Sequence, residues 1–131
     1  MVTDRAPQTY EEALNFLKPK VVQEAEARGS FVRRQGEWFA IPTMRTTSRL
    51  LADVVRGIAV YKTGHVLGRD GHHQLEEAVI YRSGPQRGEV YARGALTHTQ
   101  NEHEDLDLGF RWHQVVHNIQ GASYSLAGNF D

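Results

Sequence analysis

Between Thr9 and Gly29 the apolar residues fall at helical spacing. In the stretch TYEEALNFLKPKVVQEAEARG, Leu14, Leu17, Val21, Val22 and Ala25 share one stripe. Thr9 is placed as an N-cap, and Glu12, three residues on, completes a capping box. Pro19 kinks this helix or splits it in two, and Gly29 is its natural stop. An apolar stripe of this kind has to be buried, either on the chain's own domain or on a partner chain.

Past Gly29 the period shortens to that of strands. FVRRQGEWFAIP carries apolar and aromatic residues on both sides of Gln35-Gly36, which predicts a tight hairpin, with Pro42 ending the second strand or placing it at an edge. EEAVIYRSGPQRGEVYARGALTH repeats the arrangement, with two Val/Ile/Tyr-rich runs around the turn from Ser83 to Gly88. FRWHQVVHNI predicts a further strand and ASYSLAGNF a last one. TSRLLADVVRGIAVY is two-sided: Leu50, Leu51, Val54, Val55 and Ile58 make a helical stripe, while VVRGIAVY reads as a strand with a bulge. A strand from Val54 to Tyr61 is the expectation here. Together these elements predict a mainly β (α+β) fold, a small β-barrel or sandwich of about six to eight strands behind an N-terminal helical arm. The boundary falls near Gly29, giving a helical arm over 1–29 and a β-rich domain over 30–131.

Composition narrows the function. The chain has 131 residues with 40% hydrophobic content, enough for one core. Fifteen Lys plus Arg against sixteen Asp plus Glu give a formal net charge of -1. Such a balance lacks the positive field that gathers phosphate backbones, which argues against nucleic acid as the default partner. There is no cysteine, so any metal has to be held by histidines and carboxylates, and a reducing compartment is compatible. The N-terminal MVTDRAPQTYEE has no apolar signal-like core, and no run of about 18 uncharged apolar residues exists to span a bilayer. The expectation is a soluble cytoplasmic protein with no membrane partner.

The histidines carry the candidate chemistry. In ALTHTQNEHEDLDLG, His98 and His103 lie at a spacing used for zinc, among Glu102, Glu104, Asp105 and Asp107. His65 follows Gly64, whose lack of a side chain allows close approach to a site. A site of His65, His98, His103 and a carboxylate, with Asp105 as the candidate, suits Zn, Mn, Fe or Ni. The alternative is a wet polar turn between strands. HQVVH at 113–117 has the spacing of the helical zinc motif but carries Gln114 where a catalytic Glu is needed. As a strand, it puts His113, Val115 and His117 on one face and Trp112, Gln114 and Val116 on the other, with the histidines lining a partly solvated face. DGHHQ at 70–74 reads as a turn with exposed imidazoles.

RRQGEWFAIP, KTGH, ALTHTQNEHEDLDLG and WHQVVHN occur in the order of the segments of a family of small bacterial and phage proteins, which the chain resembles over roughly residues 33–118. That family reads RQGD-apolar-IPV, VTGH-x-H, LTHEEH-x-PI-x-L and YRVV. The resemblance implies a shared β-rich fold and recurring histidines, and carries no activity with it. This chain departs from the pattern at Leu67, where the family has a second histidine, in the inserted GRDGHHQ, and in the wider His98–His103 spacing. Those departures bear on the same positions that would hold a metal.

Other chemistries have little support. The chain contains no Cys nucleophile, no G-x-S-x-G elbow, no G-x-G-x-x-G and no phosphate-binding P-loop. Glu76 and Glu77, or Glu102 to Asp107, are carboxylates whose spacing alone does not place them opposite each other. Arg33, Arg34, Arg82, Arg87, Arg93 and Arg111 belong to a set of twelve Arg against three Lys, which suits bidentate anion contacts or a charged solvated face. Three functions follow, and whether the chain is an enzyme stays open. The first is a non-catalytic interaction or assembly module, a homo-oligomer or part of a larger complex joined through its N-terminal helix. The second is a divalent-metal domain acting as a hydrolase or oxidase, its metal activating water or polarising an oxygen. The third is Arg-mediated phosphate or RNA binding.

Overall fold

The computed structural model describes residues 18–69, 71–100 and 104–118. The helix expected from Thr9, with Leu14 and Leu17, and the strand expected in ASYSLAGNF lie outside them. The described part of the arm is α1, Lys20–Ala27, which starts immediately after Pro19. Gly29, at φ 85°, ends it: Gly29 N–H bonds the Glu26 carbonyl at 2.9 Å and Ser30 N–H the Ala25 carbonyl at 3.0 Å, closing the last turn. The buried Val22 and Ala25 pack on Phe39, Ile41, Val32 and Val116. This part of the arm therefore docks on its own domain.

The strands are β1 (Arg33–Gln35), β2 (Trp38–Pro42), β3 (Ala59–Leu67), β4 (His73–Tyr81), β5 (Val90–His98), β6 (Leu106–Asp107) and β7 (His113–His117). They make one antiparallel seven-stranded sheet in the order β1-β2-β7-β5-β4-β3, with β6 also on β5. Gln35 pairs with Trp38 around a two-residue turn in which Gly36 adopts φ 57°. Pro42 ends β2, which is an inner strand between β1 and β7. The Arg33 guanidinium donates to the Asp107 carbonyl at 3.0 Å, bringing β1 against β6, yet the two share no ladder. The mainly β architecture with an N-terminal helix is as the sequence predicts. Among the described residues the sheet does not close on itself, so these strands do not make a complete barrel.

One expectation needs correction. Residues Thr47–Val55 are helix α2, and the strand begins at Ala59, not at Val54. Thr46 caps the helix by accepting from Arg49 N–H at 3.2 Å. Gly57, at φ 82°, turns the chain out of it, with Gly57 N–H on the Val54 carbonyl and Ile58 N–H on the Asp53 carbonyl. The left-handed glycine that reads as a bulge in sequence is a helix stop.

The two helices cover one face of the sheet. Leu50 of α2 packs with Ala59, Val79, Tyr81, Tyr91 and Trp112. Trp112 Nε1–H donates to Thr47 Oγ1 at 2.9 Å, and buried Asp53 accepts from the Tyr81 hydroxyl at 2.5 Å. On the opposite face Ala40, Leu67, Leu75, Ala78, Ala92, Leu96, Leu108 and Val115 form the main core. Between Leu75 and Glu77 the β4–β5 register shifts by one residue. Gly94, at φ 81°, takes up the extra residue on β5, and Glu76 Oε1 accepts from Ala95 N–H at 2.9 Å.

Candidate functional site

The far end of the β4–β5 ladder places His73 directly across from His98, each only 2% exposed. Their rings meet edge to face with centroids 4.7 Å apart, and the half-buried His72 ring lies 5.6 Å from that of His98. His98 is thus the last residue of a strand and not part of a wet turn. His73 opens β4, so DGHHQ is not an exposed turn: its second imidazole is core.

Gln35, reaching in from β1, sets the protonation pattern. Its amide Nε2 donates to the Leu96 carbonyl at 3.1 Å and to the Glu104 carbonyl at 2.7 Å. Two carbonyl acceptors fix the amide orientation and leave Oε1 facing His73 Nδ1 at 2.8 Å. His73 therefore donates from Nδ1, and in its neutral form keeps the lone pair on Nε2. His98 is the reverse: its Nδ1 accepts from Gln100 N–H at 3.2 Å, which places the proton of the neutral ring on Nε2. One donor nitrogen and one acceptor nitrogen are presented by neighbouring rings.

Trp38 extends the cluster, its ring centroid 6.4 Å from His73 and stacked at 4.4 Å on His117. His117 Nε2 lies 3.1 Å from Glu37 Oε2. His113 shares its face with Val115 as the strand reading requires, but it is buried, at 6% exposure, and not at a solvated surface. Its Nδ1–H donates to the Arg111 carbonyl at 2.8 Å. Burial, ahead of every other influence, holds the His113 pKa below its ordinary value.

Of the four ligands expected from sequence, His98 is in this cluster. His65 lies on β3 opposite Leu75, two residues along from the Leu67–His73–His98 row. Its pKa is lowered, first by burial and then by Lys62 and Arg82. Asp105 is exposed on the segment leading into β6, and His103 lies outside the described residues. Among the described residues no group of three or more His, Asp or Glu side chains is placed to hold a metal ion. His73 and Gln35 are the members that the sequence reading missed, and the signal for both was cross-strand register. Glu77 is engaged elsewhere: Arg93 bonds it at 3.1 Å and, as the main cause, lowers its pKa, while Tyr61 donates to it at 2.9 Å.

No family model, curated protein or solved structure matches this chain. Among the described residues no helix is long and apolar enough to cross a membrane.

Proposed function

We propose that this protein is a non-catalytic binding module that assembles with a second copy of itself through the open edge of β3. The observation that carries this reading is β3 itself. It runs for nine residues, among the described residues is laddered to β4 on one side only, and leaves Tyr61 40% and Val66 44% exposed. An open edge presents a row of backbone donors and acceptors that another strand satisfies. An antiparallel edge is also self-complementary, so a two-fold pair of β3 strands extends the sheet with identical contacts from both chains. Lys62 and the bend at Gly64, with φ 62°, work against open-ended stacking along this edge.

The helical arm is the less favoured docking element, because Val22 and Ala25 of α1 are already engaged by Phe39 and Ile41. Light scattering on the full chain at rising concentration tests the reading. Twice the monomer mass is expected for the natural sequence, and monomer for Tyr61→Lys/Val66→Lys with its unfolding transition unchanged. A natural chain that stays monomeric throughout sinks it.

A second reading, a divalent metal at the histidines, is favoured by the His73–His98 register. Gln35 orients the His73 ring as an outer carbonyl orients a metal-bound histidine. His73, with its lone pair on Nε2, is then the first candidate ligand, joined by His72 and His103 and by His98 once Gln100 N–H releases its Nδ1, for Zn, Mn, Fe or Ni. Plasma mass spectrometry of the untagged protein separates the outcomes. A near-stoichiometric metal lost in His98→Ala/His103→Ala supports the reading, and a trace level unaffected by the substitution rejects it.

A further inference from the structure

A different surface shows uncompensated charge next to exposed apolar side chains. The segment that joins β2 to α2 and the turn that leads into β7 are held side by side: Thr43 N–H and Oγ1–H both donate to the Trp112 carbonyl, at 3.0 and 2.8 Å. Arg111 reaches back across this seam, donating from Nε to the Thr43 carbonyl at 2.9 Å and lying 3.6 Å from Met44 Sδ. Arg45 stands 4.7 Å above the Tyr91 ring, and Arg49 follows in the first turn of α2. Met44 is 88% exposed and Phe110 92%. Thr43, Met44, Arg45, Thr46 and Arg49 line a shallow cleft of about 510 Å³.

Among the described residues, the partners of these guanidiniums are all neutral. Arg56 and Arg93 meet carboxylates, Asp53 at 3.3 Å and Glu77 at 3.1 Å. Among the described residues, Arg45, Arg49 and Arg111 have no carboxylate within ion-pair reach. A π face, a carbonyl and a thioether hold two of them in place without cancelling their charge. A cation positioned in advance and left uncompensated favours an incoming anion, since less side-chain freedom remains to be lost on binding.

We infer that this surface docks an acidic peptide segment of a partner protein that also carries apolar side chains. Its carboxylates would meet Arg45, Arg49 and Arg111 in the bidentate geometry that guanidinium favours. Its apolar side chains would cover Phe110 and Met44, the latter an unbranched thioether that adapts to varied shapes. A nucleic acid strand fits less well. The chain's net charge of -1 supplies no long-range field for a polyanion, and Phe110 is a lone ring where single strands favour a series of stacking platforms. The surface excludes β3, so its test is independent of self-assembly.

The experiment titrates the full chain into a short fluorescein-labelled peptide that alternates Glu with Leu and Trp, followed by fluorescence anisotropy. Saturable binding that weakens with added salt is expected, with affinity lowered about tenfold by Arg49→Gln/Arg111→Gln and by Phe110→Ser separately. All three side chains are exposed, and circular dichroism of the variants is the check that they keep the fold. Absence of saturable binding, or equal affinity across the variants, overturns the proposal. Tighter binding of an oligothymidine strand than of the peptide overturns it in favour of nucleic acid.

Discussion

Gln35 belongs to a strand of three residues, yet its amide engages groups on two other strands and on the segment before β6. Removing it leaves the Leu96 carbonyl and the His73 Nδ1–H without this partner in a place closed to water. Gln35→Ala should therefore lower stability by about 1–3 kcal/mol. The check is a urea titration in which the midpoint falls while the slope stays constant. The sequence made His98 legible through its spacing to His103 and its acidic surroundings. It hid His73, because DGHHQ is locally indistinguishable from a turn. Only the pairing of His73 with His98 makes that residue the first of a strand, and Gln35, read as part of a hairpin turn, gains its role only when β1 is brought near β5.

At the level of elements, both hairpins, the β7 strand and the Gly29 stop follow from local pattern, since turn residues and alternation are short-range signals. The stretch from Thr46 to Tyr61 is where local pattern gave two answers. Its helical stripe was visible, and so was a β-branched run; burial of Leu50 on Trp112 and Tyr81 decides between them, and that is a tertiary contact. The register shift on β5 was equally invisible. Gly94→Ala places a side chain at φ 81° and brings its Cβ to 2.5 Å from Glu76 Oε1, the atom that holds Ala95 N–H. A loss of about 1–3 kcal/mol is expected from the strained backbone. Gly64→Ala should be milder, because its nearest neighbour, at 3.1 Å, is the movable end of the Gln74 side chain. Thermal unfolding of the two variants in parallel shows whether this order holds.

Over the whole molecule, His65 and His113 make folding sensitive to acid. Burial leads in lowering both pKa values from the ordinary 6.5, so the folded state favours the neutral rings while the unfolded chain binds protons more readily. The stability that this contributes is complete above the unfolded value and is lost as pH falls through the lowered folded values. Glu77 adds a separate loss at lower pH, since Arg93 holds its carboxyl below the ordinary 4.5. The melting temperature should therefore drop between about pH 7 and about pH 5, before carboxylates protonate in number. His113→Gln should flatten that part of the profile, and a slope identical to the natural chain's would remove His113 from the account.

The position of β7 between β2 and β5 has a consequence for biosynthesis. β2 leaves the ribosome early with only α1 and the short β1 against it, and the strand that pairs with its other edge is among the last of the described elements to be made. At about 5–20 residues per second, Phe39 and Ile41 wait several seconds for Val116. During translation the first hairpin is thus an incomplete, apolar surface, and chaperones that hold nascent chains gain a natural client until residues 113–117 emerge.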